Sequence, residues 1–164
     1  MQGPHHSAQK STRIGFDEFK TSKIVSREFS SLDMPHESEI AITGLKSYLD
    51  SGNPGRNIAV IGELDSVKVL GHPFGDQETT AAHACGHHCQ IAMMLGVAVG
   101  LKASGVLESL SGKVTFMAVP AEEYIEIEYR DNLRRNGEIE FLGGKPEFVR
   151  LGHFDDIDMA MMTH

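Results

Sequence analysis

The chain has 164 residues, with 15 Lys or Arg against 23 Asp or Glu, so its net charge is −8 with histidine neutral. That length suits one domain, and 40 % hydrophobic with 23 % charged residues is the composition of a chain that folds around a core rather than a disordered one. The acidic balance lacks the basic footprint that tracks phosphate backbones or anionic lipid, so neither a nucleic-acid nor a membrane partner is expected.

Residues 1–30 mix polar side chains with isolated hydrophobics and hold no lasting period, which predicts a poorly structured lead. Its polar opening, Met1 to Lys10, does not resemble a secretory signal. From Asp33 and Pro35, apolar residues at Ala41, Leu45, Tyr48 and Leu49 recur at helical spacing, which predicts an amphipathic helix ended by the turn Ser51 to Gly55. The run Asn57 to Gly62 reads as a buried strand, followed by a long loop from about Leu64 to Ala84. From Gly86 the pattern is helical and apolar nearly all round, which predicts a helix buried on every side. Its apolar stretch, Ile91 to Leu101, falls short of the roughly 20 residues that span a bilayer.

Lys113 to Val119 is a second β-rich run, stopped at Pro120. Residues 124–142 are highly charged and read as a solvated excursion. Pro146 to Gly152 reads as a short helix and Met159 to Met162 as a third strand. Strands alternating with helices over crossovers of this length predict an α/β fold, a sheet flanked by helices in three layers. The only two cysteines, Cys85 and Cys89, are too few and too close to staple a secreted scaffold, so a reducing, cytoplasmic setting is expected.

Polar residues gather where the predicted strands end: Glu63 and Asp65 after the first, Glu122 and Glu123 after the second, His164 after the third. Ligands of open α/β sheets bind outside the carboxyl ends of the strands. His83-Ala84-Cys85-Gly86-His87-His88 adds thiolate and imidazole at the head of the apolar helix, completing a ligand set suited to Zn²⁺ or a related divalent ion. Each signal alone has a plain alternative. Cys85 and His87 could be packing residues around a glycine turn, and the Glu122-Glu123 pair a solvated strand end. Cys89, one turn past Cys85, reads as a core residue rather than a ligand. His5, His6, His36, His72 and His153 are explained by surface or turn positions. No phosphate loop, His-Glu-x-x-His pair or Gly-x-Ser-x-Gly elbow is present.

In order, His83-Ala84-Cys85-Gly86-His87, Pro120-Ala121-Glu122-Glu123 and Gly152-His153-Phe154-Asp155-Asp156-Ile157-Asp158 leading to His164 resemble the aminoacylase and aminobenzoyl-glutamate hydrolase branch of the co-catalytic metallopeptidases. The resemblance implies that Cys85, His87, Glu123 and His164 are ligands of one or two divalent ions, Zn²⁺ or Mn²⁺. It implies Glu122 as general base and Asp65 as the acid that orients a ligand histidine. The implied activity is hydrolysis of an amide bond in an N-acyl amino acid, a small dipeptide or an aminobenzoyl-glutamate-like substrate. Residues 31–164 would then be the N-terminal portion of a catalytic domain, a fragment without the lid or dimerisation domain and so without turnover by itself. A homodimer of the full-length protein would form through that absent part. A non-catalytic metal-binding or interaction domain derived from the same fold is the competing expectation. Three positions depart from the pattern: His88 follows the Cys-Gly-His triplet where Asp or Asn is usual, Ser66-Val67-Lys68 follows Asp65 in place of Ala-Leu-Pro, and the charged stretch 124–142 is an insert.

Overall fold

The computed structural model describes residues 15–103 and 105–164. Its elements are α1 (Phe19–Ser31), β1 (His36–Ile40), β2 (Gly44–Asp50), β3 (Asn57–Glu63), β4 (Val67–Lys68), β5 (Ala81–Ala82), α2 (His87–Lys102), β6 (Lys113–Val119), α3 (Ile127–Arg135), α4 (Gly144–Arg150) and β7 (Met159–Met162). A single turn of 3₁₀ helix at Leu107–Ser109 precedes β6. The central sheet runs β1-β2-β6-β3-β7, while β4 and β5 form a separate two-stranded ladder inside the loop that follows β3.

β3 pairs in parallel with β6 on one side and with β7 on the other, as the expected α/β sheet requires. β1 and β2 extend it as an antiparallel edge. Strand alternation sorts the core into two halves. Phe116 and Ala118 of β6 face Val25 and Phe29 of α1 and Ile91, Met94 and Ala98 of α2. Met117 and Val119, with Ala59 and Ile61 of β3, face Phe16, Leu133, Ile139 and Phe148 on the side of α3 and α4. The result is helix layer, sheet, helix layer.

Five expectations are corrected. Residues 1–14, with His5 and His6, lie outside the described residues, but the second half of the expected lead is α1, whose Val25 and Phe29 are fully buried. The helix expected after Pro35 is the hairpin β1-β2. Leu45 and Leu49, four apart, share a face in either geometry, and the buried Ser47 between them marks the strand period of two. The excursion at 124–142 contains α3 and carries Arg130, Leu133 and Ile139 into the interior.

α2 is not buried all round: His87, Gln90, Ile91, Met94 and Ala98 face inward, whereas Met93, Val97 and Val99 stay exposed, and so does Cys89, expected in the core. The apolar side chains of β7, Met159, Met161 and Met162, are exposed as well, on the sheet edge next to β3. Among the described residues no helix is long and apolar enough to cross a membrane.

Candidate metal centre

Because β3, β6 and β7 are parallel, their carboxyl ends open at one edge of the sheet. β3 delivers Glu63 at its last position and Asp65 just beyond, β6 is followed by Glu122 and Glu123, and β7 by His164. The head of α2 brings Cys85 and His87 to the same place. Gly86, between them, has φ 97° and caps the helix from the left-handed region, so a side chain there would strain the backbone although a Cβ would meet nothing within 4 Å. α2 lies close on β3 at Gly62, where a Cβ would come within 3.3 Å of the Ile91 backbone. That contact presses the head of α2 onto the end of β3.

His87, Glu63 and Asp65 are completely buried. Asp65 Oδ1 lies 2.9 Å from His87 Nδ1, and Asp65 Oδ2 accepts from the Glu123 amide at 2.8 Å, so one carboxylate fixes both the imidazole and the chain bearing the glutamate pair. With Nδ1 committed to Asp65, only Nε2 is left to face the cleft. Around it lie Glu63 Oε2 at 2.9 Å, Glu122 Oε2 at 3.6 Å and Glu123 Oε1 at 3.9 Å, yet Nε2 has no hydrogen-bond partner of acceptable geometry. An orphaned, buried imidazole nitrogen ringed by carboxylates is the environment a cation would satisfy.

Among the described residues, two sets have donor atoms that lie within 4.8 Å of one another inside each set: Cys85, His87 and Glu123, and Glu63, His87 and His164. Both include His87, and since its Nδ1 is paired with Asp65, a single ion at Nε2 can draw on either set. Thiolate, imidazole and carboxylate are suited to zinc and its neighbours, and the residues present therefore fit a divalent ion. His164 is exposed, and its ring meets His87 edge-on with centroids 6.0 Å apart.

The protonation pattern without an ion follows the same geometry. Burial disfavours charge on His87, but Asp65 and Glu63 beside it prevail and raise its pKa to about 11. Burial likewise pushes the Glu63 carboxyl up, and the neighbouring His87 and Lys145 outweigh it and hold it at about 2. Partial burial, then the adjacent Glu122 charge, raises the pKa of Glu123.

A scan of protein-family models finds no match for the chain. Sequence comparison does find relatives. Over 113 residues, 67 % of this chain and 24 % of the relative, it is 31 % identical to the IAA-amino acid hydrolase ILR1-like 6 of Arabidopsis thaliana. Over 154 residues, 92 % of this chain and 37 % of the relative, it is 27 % identical to the N-acyl-L-amino acid amidohydrolase of Geobacillus stearothermophilus. The chain is a homologue of these amidohydrolases. It spans about a quarter to about two fifths of their length. The fold is shared with a dinuclear metal-binding peptidase of the M20 family from Bacillus subtilis, with a TM-score of 0.71 and 21 % identity over 93 % of this chain and 39 % of that one.

In this amidohydrolase homologue the structure brings together every site residue the sequence pointed to: Asp65, Cys85, His87, Glu122, Glu123 and, at the rim, His164. Four further residues serve the same place and were not singled out by sequence. Gln90, one turn along α2, donates to Glu63 Oε2 at 3.0 Å. Lys145, in the first turn of α4, pairs with Glu63 Oε1 and lies 3.8 Å from Glu122 Oε1.

Glu18, fully buried ahead of α1, accepts from the amides of Phe16 and Ala121, each at 2.9 Å, and from the Thr43 hydroxyl at 2.6 Å. Arg130 of α3, also fully buried, donates to the carbonyls of Ala121, Leu142 and Glu123. Between them these two side chains clamp the turn that carries Glu122 and Glu123, in which Ala121 adopts a positive φ of 54°. No local motif announces Glu18 or Arg130, since each is an isolated charge in a polar stretch whose burial is decided by distant elements.

Proposed function

We propose that this chain forms the metal centre of an amidohydrolase acting on an N-acyl amino acid, a small dipeptide or an aminobenzoyl-glutamate-like substrate. Cys85, His87 and Glu123 hold a divalent ion, Zn²⁺ or Mn²⁺, with His164 as a further ligand, Asp65 as the residue that orients His87, and Glu122 as general base. The observation that carries the reading is the unpartnered Nε2 of His87, facing both glutamates and sharing its cluster with the Cys85 thiol. It is supported by relatives that are, by name, an N-acyl-L-amino acid amidohydrolase and an IAA-amino acid hydrolase.

Bound there, the ion supplies a Lewis acid that polarises an amide carbonyl and makes a water more acidic. The protein's own groups do the rest. Glu122 is partly exposed at the mouth of the cleft, where its carboxylate can take the proton of the attacking water and later give it to the leaving amine. Asp65 keeps the His87 proton on Nδ1, which directs the Nε2 lone pair outward. Arg130 and Glu18 hold the Glu122 turn rigid, so the base keeps its position through the proton transfers. Both cysteines are free thiols, and a reducing cytoplasmic setting is part of the proposal because a ligand thiolate must escape oxidation. Dimerisation of the full-length protein, through the portion its relatives have and this chain does not span, belongs to the same reading.

Glu122→Gln keeps the size of the side chain and removes the base. It is expected to lower hydrolysis of an N-acyl amino acid by about 10²-fold or more while metal content stays unchanged, with the C-terminal portion of a relative supplied in the assay. Unmutated protein that shows no hydrolysis with Zn²⁺, Mn²⁺ or Co²⁺ under those conditions overturns the enzymatic reading and leaves a metal-binding domain.

A further inference from the structure

Glu18 ties the turn that carries Glu122 and Glu123 to two other parts of the chain. It is completely buried, and the groups it accepts from are neutral. Oε1 takes the amides of Phe16 and Ala121, and Oε2 takes the hydroxyl of Thr43 in the turn between β1 and β2. The charged and titratable groups around it are Arg130 and Tyr129 of α3, Asp65 beyond β3 and its own neighbour Asp17. Arg130 spends its N–H groups on the carbonyls of Ala121, Leu142 and Glu123. Burial, helped by the Asp65 charge, therefore lifts the Glu18 carboxyl to about 7 against the pull of its hydrogen bonds.

Burial of that charge weighs on the whole fold, whereas the bonds it makes act on one turn. Ala121 sits at φ 54°, a conformation that costs any residue but glycine and persists only where its surroundings impose it. The bond from its amide to Glu18 helps to impose it. A hydrogen bond to an ionised acceptor is roughly twice as strong as one to a neutral acceptor. With a proton on Oε2, the carboxyl presents its O–H to the Thr43 hydroxyl, and Oε1 holds both amides only as a neutral carbonyl. The turn then loses its charge-assisted bond one residue before the base, and Arg130 is left as its strong anchor.

We propose that Glu18 is a positioning residue whose charge locks the glutamate turn: ionised, it seats Glu122 at the cleft, and protonated, it releases the turn. The inference rests on the proposed role of Glu122 as general base. Glu18 acts on that base only through the Ala121 backbone. A clamp that worked by filling space alone would be indifferent to the proton, since both forms of the side chain have the same shape.

The first test follows the Phe16 and Ala121 amides by ¹⁵N NMR from pH 5 to pH 9. Both bond the same oxygen, so they are expected to titrate with one common midpoint, at about 7. Hydrogen exchange at Ala121, corrected for the intrinsic effect of pH, should quicken below that midpoint. Glu18→Gln should flatten both curves, and Thr43→Val, which deletes a donor favouring the ionised form, should raise the midpoint. Amides without a common midpoint, a midpoint that Thr43→Val leaves in place, or exchange indifferent to it overturns the proposal, even where Glu18→Gln fails to fold. The second test is hydrolysis with the C-terminal portion of a relative supplied. The ratio of the rate at pH 8 to that at pH 6 should fall about tenfold in Glu18→Gln, the change in ionised fraction of a group with a pKa of about 7. An equal loss at both pH values marks a structural role and overturns the proposal. No hydrolysis by unmutated protein overturns the enzymatic reading instead, and the amide titration and exchange then decide whether Glu18 locks the turn.

Discussion

At the scale of single residues, the two nitrogens of His87 decide what the site can do. Nδ1 is spent on Asp65, and Nε2 is left bare among acids. Asp65→Asn should turn the donor-acceptor logic around the ring and loosen the Glu123 amide with it. The expected outcome is a 10–100-fold weaker affinity for Zn²⁺, measured by competition with a chromophoric chelator.

The ligand-type residues were readable from sequence because each lies in a short local signature: Cys85 and His87 flank a glycine at a helix start, and Glu122-Glu123 leaves an apolar strand. Glu63 was visible only as a strand-end acid. Lys145, Gln90, Glu18 and Arg130 were silent, because their roles come from elements up to about a hundred residues away. Their chemistry is that of any surface Lys, Gln, Glu or Arg until the fold buries or aims them.

At the scale of elements, the strands and helices that flank the site were legible where length and pattern agreed, as for β3, β6, β7, α2 and α4. β1 and β2 were not. A spacing of four satisfies a helical turn and two strand repeats equally, and only the pairing of Leu45 to Asp50 with Lys113 to Ala118 resolves it. The composition of α2 is apolar on every side and predicts a wholly buried helix, but the fold leaves one side of it open, at Met93, Val97 and Val99.

Close approach, rather than pattern, sets the geometry of α4. Gly144→Ala should cost about 2–3 kcal/mol of folding free energy, since a methyl group would collide with backbone at Pro120 that cannot move without shifting the glutamate turn. Urea denaturation of the two proteins checks this. A change within about 0.5 kcal/mol, the range of an ordinary surface substitution, would mean that α4 is not seated on β6 as described.

At the scale of the whole molecule, the three-layer architecture stores several buried acids around one edge of the sheet, and this gives stability an unusual pH dependence. Burial raises Glu18 from 4.5 to about 7 despite its hydrogen bonds with Thr43 and Ala121, and raises Asp17 from 3.8 to about 6. His87, opposed by burial but favoured by Asp65 and Glu63, is raised from 6.5 to about 11 in the absence of metal. All three bind protons more tightly in the folded state. The stability they contribute is complete below their ordinary pKa values and is lost as pH rises through the raised ones.

Chelator-treated protein should therefore become less stable from pH 5 to pH 8, and Glu18→Gln should reduce that fall by about 2–3 kcal/mol, seen in denaturation midpoints across the range. The acids held low, among them Asp156 beside Lys46 and Asp158 beneath the Asn57 amide and Arg56, act with the opposite sign and only below pH 4 or so. Metal reverses the trend around His87, because the ion must displace its proton and so binds more tightly as pH rises.

The central claim is that Cys85 and His87 ligate one ion, and cobalt uptake tests it most directly. Titration of the metal-free chain with Co²⁺ should produce a thiolate-to-cobalt charge-transfer band in the near ultraviolet that saturates with the ion. Cys85→Ser should take up cobalt without that band, and His87→Ala should fail to retain it. A chain that binds no cobalt, or whose spectrum is unchanged by Cys85→Ser, would contradict the account.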